Sequence, residues 1–473
     1  MRIISRTDDS AHPNSLCNLA CNLTDTQHAN MSQVETLIHA RWIVPVEPKA
    51  DSVLEDHSLA IEGGRISAIL PTTKARSSMQ ANEVIELPHH ALMPGLVNAH
   101  THAAMSLMRG MADDLPLMDW LQNHIWPAEA QFVNPEFVVD GVRLACIEML
   151  RSGTTCFNDM YFYPDVTAQV VAETGMRASV GMILLDFPTP WAQNADDYLH
   201  KGLQVQDAWK GHNLISTAFA PHAPYTVSDE PLRKMRMYAD EMDLRIHMHV
   251  HETAHEVAEA SKQNGQRPLA RLHQLGLLSP NLAAVHMTQL SDEEIRLSAE
   301  QGVNIVHCPE SNLKLASGFC PVGRLLDVGI NVALGTDGAA SNNDLDMFAE
   351  MRTAALLAKA VDENASTLPA HQALHMATLG GARAMGKGDQ IGSLKKGKWA
   401  DLAAVNLDTP ETRPLTNVIS QLVYAAGREQ VSDVWVGGRR LLNERRLMSV
   451  DMKDAMSRAQ NWADRMQAAQ QTT

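Results

Sequence analysis

The sequence predicts an α/β protein, a (β/α)8 TIM barrel joined to a small composite β-sandwich domain from both chain ends. After Pro94, eight apolar runs of strand length alternate with longer helical stretches. Short β-like runs precede and follow that block, and most of the eight central runs end in a histidine or a carboxylate.

The chain has 473 residues, enough for one large core and a smaller one. Residues 1–30 are polar, lack the apolar stretch of a signal peptide and run into Met31, so they read as a loose extension or a misassigned start. Residues 31–90 and 386–450 read as the composite β domain, 91–385 as the barrel and 451–473 as a C-terminal helix.

In the first β segment, Leu37–Ala40 and Trp42–Val46 are strand-like, and Gly63-Gly64 joins Ser58–Ile61 to Arg65–Leu70 as a hairpin. Barrel strands are expected at 91–98, 154–159, 177–184, 213–219, 245–250, 282–287, 303–307 and 331–335. Helices are expected at 135–151, where Val138, Val142, Ala145, Met149 and Leu150 share an apolar face, at 292–301 after an acidic turn, and at 369–379. Two further β pairs are expected, one around the Lys/Gly turn within 391–405 and one around Gly437-Gly438.

Charge narrows the function classes. With 39 basic against 55 acidic residues the net charge is −16, which disfavours nucleic acid and anionic membranes as partners and favours a free small molecule. No apolar run approaches the roughly 20 residues that span a bilayer. The six cysteines form no Cys-x-x-Cys pair, which fits reduced thiols and a cytoplasmic location.

Barrels gather chemistry at the C-terminal ends of their strands. The first run ends in His100 and His102, which leave the same face of an extended strand and can converge on a metal. Later ends carry His222, then His247, His249, His251 and Glu252, then His286, His307 and Asp337. An ordinary barrel would place aliphatic or small polar residues at many of these positions. Spacing leaves His247, His249 and His251 equivalent, because alternation puts all three on one face.

The combination Pro94-Gly-Leu-Val-Asn-Ala-His-Thr-His102, His249-x-x-Glu252-Thr253, His286, Ser311–Leu315 and Gly335-Thr-Asp-Gly338 resembles the amidohydrolase superfamily over about residues 36–445. Arg109-Gly110, Asp113–Leu117, Trp120-Leu121 and Trp126-Pro-x-Glu129 make it similar to the branch of 5-methylthioadenosine/S-adenosylhomocysteine deaminases. The segment from His307 departs from many relatives at Cys308 and Glu310.

That resemblance implies a set of roles. His100, His102, His249 and Asp337 would bind one divalent metal per subunit, zinc first and iron as the alternative. The lysine that bridges two metals in binuclear members has no counterpart in Leu214–Pro221, which favours one ion. Glu252, His286 and Asp337 would be catalytic; Glu129, His222, Glu252, Asp337 and Trp120 would contact substrate. The implied reaction is hydrolytic deamination of adenosine-type nucleosides by a homo-oligomer, a dimer or tetramer. The alternatives are a guanine or cytosine deaminase, an s-triazine hydrolase, or an inactive scaffold that keeps the barrel.

Overall fold

A computed structural model describes residues 31–470; the expected extension at 1–30 and the last three residues of the expected C-terminal helix lie outside them. Two eight-stranded sheets organise the chain. The first begins with β1 (Ser32–Ile43), β2 (Leu54–Glu62), β3 (Arg65–Pro71) and β4 (Met79–Pro94). The second runs consecutively through β5 (Leu96–Thr101), β6 (Thr154–Tyr161), β7 (Arg177–Leu184), β8 (Ile215–Pro221), β9 (Ile246–Val250), β10 (Leu282–His286), β11 (Asn304–His307) and β12 (Val332–Leu334). The chain then returns to the first sheet with β13 (Leu402–Asn406), β14 (Val431–Val436), β15 (Arg439–Asn443) and β16 (Arg446–Leu447).

All neighbours in the second sheet pair in parallel. Its strands are buried along almost their whole length, as expected where helices cover one face and the barrel core fills the other. Closure comes from a parallel bridge between Thr101 and Asp337. Asn98 reinforces it by donating to the Thr336 hydroxyl at 2.7 Å and accepting the Thr336 N–H at 3.0 Å. Gly335 permits this approach, since a β-carbon there would lie 2.8 Å from the His100 nitrogen.

The expected strand at 91–98 is two strands. Its first half ends β4 and its second half starts β5, with the break at Gly95. The Gly95 N–H donates to Asp401 O beside the first sheet, whereas the next N–H, on Leu96, donates to Gly153 O beside the second. A side chain at position 95 would collide with Thr155, 2.1 Å away, so only glycine lets the chain change sheets here. Continuous apolar character hid this switch.

The first sheet has the order β16-β15-β14-β13-β4-β1-β2-β3 and combines both ends of the chain. It curls until the β2–β3 and β14–β15 turns meet through Ala400, whose N–H donates to Gly64 O while its carbonyl accepts from Gly438 N, each at 3.0 Å. Ile38, Leu59, Ile85, Leu402 and Trp435 share the core enclosed by this curl.

Other differences are local. Trp42–Val46 does not start a separate strand: β1 runs unbroken to Ile43. The apolar run Ile391–Leu394 does not pair as a strand, because its backbone wraps the Lys398 ammonium, which donates to Gly388 O at 2.6 Å and Ile391 O at 3.3 Å. The helix expected at 369–379 occupies Ala370–His375 and passes through a wide π turn, Met376–Gly380. Helices form at Pro135–Arg151, opened by the Asn134 side chain accepting the Phe137 N–H, and at Asp292–Glu300, opened by a Ser291/Glu294 capping box. The helix Met452–Gln470 packs on the first of these through Trp462, whose indole N–H donates to Asp140 at 3.0 Å.

Candidate metal centre and active site

At the C-terminal mouth of the barrel, His100, His102, His249 and Asp337 bring one donor atom each to within 4.8 Å of one another. His100 Nε2 lies 3.1 Å from His249 Nε2 and 3.2 Å from Asp337 Oδ1, and His102 Nε2 lies 3.1 Å from the same oxygen. Ligands bonded tetrahedrally at the usual zinc distances stand about 3.3 Å apart, so this donor set fits such an ion.

The opposite ring nitrogens are already engaged. His102 Nδ1–H donates to Met160 O at 2.6 Å and His249 Nδ1–H to His222 O at 2.7 Å, which leaves each Nε2 lone pair for the centre. His100 Nδ1 faces His247 Nε2 at 2.8 Å, so an imidazole serves here where the other two use carbonyls. Of the three histidines that spacing left equivalent, His249 therefore joins the donor set, His247 supports His100, and His251, just past β9, accepts the Leu269 N–H through Nε2 at 3.2 Å.

Asp337 is held from every side. Ser311 and Ser341 donate to Oδ2 at 2.7 and 2.9 Å, and the Gly338 N–H donates to Oδ1 at 2.8 Å. Burial works against its charge, but the adjoining His100 and His102 hold the carboxyl well below its ordinary range. Asp159, at the end of β6, accepts from Thr101 Oγ1 at 3.0 Å and Ala103 N at 2.7 Å and so fixes the turn that carries the two first histidines.

Glu252 and His286 stand beside the donor set with their side-chain atoms 3.8 Å apart. His286 Nδ1 meets Asn312 Oδ1 at 2.8 Å and donates to it, which directs Nε2 towards the cavity. Among the described residues nothing donates to the Glu252 carboxylate, and burial raises its pKa. The backbone is strained at these strand ends: His251, His286 and Asp337 have φ of 53°, 74° and 61°, positions that cost non-glycine residues about 1–3 kcal/mol each.

A cavity of about 360 Å3 opens above this group. Glu129 lines it, and burial pushes its carboxyl up to about 7 despite the neighbouring Tyr161 hydroxyl. Trp120 also lines it, with an indole N–H that no described residue accepts. His222 lines it too; burial, then the nearby His102 and His100, lowers its pKa to about 3, so the ring is neutral at physiological pH. The remaining walls are largely apolar, including Trp126, Tyr161, Phe162, Leu185 and Phe187.

All the residues expected at the site thus open on one cavity or on its donor set. The sequence reading did not single out Asp159, Ser341 or Tyr161. Asp159 carried a usable signal, a carboxylate ending a barrel strand; Ser341 and Tyr161 carried none beyond ordinary hydroxyl side chains.

Comparison with known proteins agrees with this architecture. The profile described as the amidohydrolase family matches residues 91–441, and the chain belongs to that family. It is a hydrolase on this ground. Among its relatives, the 5-methylthioadenosine/S-adenosylhomocysteine deaminases of Saccharophagus degradans and Teredinibacter turnerae are 49% and 48% identical, each over 93% of this chain and 98% or 99% of their own. A zinc-bound adenosine deaminase from Xanthomonas campestris superimposes with a TM-score of 0.92 at 55% identity, covering 93% of this chain and 100% of that one.

Proposed function

We propose that this hydrolase deaminates adenosine-type nucleosides bearing a 5′-thio substituent, 5′-methylthioadenosine and S-adenosylhomocysteine among them, giving the inosine analogue and ammonia. The observation that carries the reading is that one cavity holds Glu252 and His286 beside a three-histidine, one-aspartate donor set and is also lined by Glu129. This further carboxylate has a use for a ribose diol and none for a free base. The names of the relatives point the same way.

His100, His102, His249 and Asp337 would hold one divalent ion, zinc first. Such an ion lowers the pKa of water from about 15.7 towards 7 and so supplies hydroxide at neutral pH. Asp337 takes up the proton released from that water. Glu252, whose raised pKa favours the protonated form, donates a proton to purine N1 as hydroxide adds at C6. His286 Nε2 orients the attacking oxygen. Asp337 then passes its proton to the C6 amine, which leaves as ammonia as the C6–N bond breaks, and the C6 hydroxyl proton returns to Glu252 as the carbonyl of the inosine analogue forms.

Glu129 accepts from the ribose hydroxyls, His222 contacts the nucleoside as a neutral ring, and Trp120 packs on the 5′-thio end, where sulfur and an aromatic face attract each other. No helix among the described residues is long and apolar enough to cross a membrane. In this reading the enzyme is a cytoplasmic homo-oligomer that takes free nucleosides.

The test is ammonia release by protein of measured metal content from methylthioadenosine, S-adenosylhomocysteine, adenosine, adenine, guanine and cytosine. Turnover of the 5′-substituted nucleosides with near one metal per chain is expected. Turnover of a free base alone would move the substrate, and silence on all six would favour a triazine-type hydrolase or a scaffold.

A further inference from the structure

The site does not end at the nucleoside cavity. A second cavity of about 730 Å3 shares Leu117, Phe187 and Tyr225 with the first, so the two adjoin across this rim. Carboxyl side chains outnumber lysine and arginine around the two cavities. Among the described residues lining the first there is no lysine or arginine, while Glu129, Glu252 and Asp337 all face it. The second adds Asp186, Asp229, Glu256 and Glu259 and a single arginine, Arg271.

Arg271 is not free to receive an anion. Its Nε donates to Asp229 at 2.7 Å, its other nitrogens donate to Pro224 O and Val227 O, and its side chain is only 14% exposed. Asp186 accepts the Ser228 N–H at 2.8 Å, and Lys262, its side chain 77% exposed, is paired with Glu259 at 3.5 Å. A carboxylate or phosphate entering this mouth would lose hydration and find no unpaired cation in return. A neutral group loses little hydration, and an ammonium group that loses it finds the Asp186 and Glu259 carboxylates in return.

We propose that the two cavities select 5′ substituents by charge, accepting neutral or ammonium-bearing groups well ahead of any that carries a carboxylate or phosphate. This rests on the deaminase reading above and ranks its substrates: methylthioadenosine comes first, and S-adenosylhomocysteine is held back by its carboxylate.

The test compares kcat/KM of the metal-loaded enzyme for two 5′-thioadenosines of equal chain length, one ending in an ammonium and one in a carboxylate, alongside methylthioadenosine and S-adenosylhomocysteine. The ammonium compound is expected to exceed the carboxylate compound by roughly tenfold or more, and the gap should shrink between about 0.01 M and about 1 M salt as charge is screened. Glu259→Lys, on the wall of the second cavity, should narrow the gap severalfold. Equal values for the two compounds at low salt, or a gap unmoved by Glu259→Lys, would overturn the proposal. Failure to deaminate any of the four would overturn instead the reading on which it rests.

Discussion

Two buried polar clusters in this molecule look alike in composition and differ in what they leave unfinished. At the seam between the sheets, Arg177 and Asp401 are 3% and 1% exposed, and the pair is complete. Arg177 Nε and Nη2 donate to the two Asp401 oxygens at 2.7 and 3.1 Å, Nη1 donates to Asn213 O at 2.6 Å, and the Gly437 N–H donates to Asp401 at 2.7 Å. At the barrel mouth, by contrast, three Nε2 atoms converge on Asp337, and the Glu252 carboxylate takes no donor from the described residues. A saturated cluster fastens two layers together; an unsaturated one is available to a metal and a substrate.

The largest expected effect of breaking this contrast lies at the saturated cluster. Asp401→Ala leaves a buried guanidinium without its counter-ion, and should destabilise the fold by about 3–5 kcal/mol in denaturant titrations. A loss below about 1 kcal/mol would show that the seam behaves as an exposed pair.

At the mouth, His247 connects the two kinds of cluster, since it completes the valence of a residue in the donor set. His247→Ala should weaken metal affinity about 10- to 100-fold, read by competition with a chelator, while His251→Ala, four residues further on, leaves affinity unchanged. Equal effects of the two would remove the special part of the His100–His247 bond.

A smaller effect concerns pH. Burial pushes the Glu256 carboxyl up to about 7 although it accepts the N–H groups of His251 and Glu252. Its folded pKa is above the unfolded value of about 4.3, so the folded state binds the extra proton between these pH values. Stability from this group is therefore full below about 4.3 and lost as pH rises through about 7. Glu256→Gln should flatten the pH dependence of unfolding in that window; an unchanged slope would show that other groups set it.

The barrel was legible because its strands follow one another and most end in a residue that the apolar run does not explain, from His100 to Asp337. The first sheet was less legible. β4 spans 16 residues with the alternating, partly charged pattern of Met79–His90, and its neighbours β1 and β13 lie far apart in sequence, so no local signal joined them. Gly95, which separates the sheets, reads in sequence as one more small residue in an apolar run. Within the site, ligand-type residues could be named because few side chains bind metals. Ser341, Tyr161 and the apolar walls could not, because several barrel strands and the loops after them create their positions and no spacing within one segment encodes them.

The central claim is that the unsaturated cluster divides its labour, with the donor set holding a metal and Glu252 moving a proton. The most direct test measures metal content and deamination on one preparation of Glu252→Gln, which keeps the shape and removes the titrating group. Near one metal per chain with turnover lowered by about 10²- to 10⁴-fold is the expected result. Unchanged turnover, or metal lost together with activity, would contradict it.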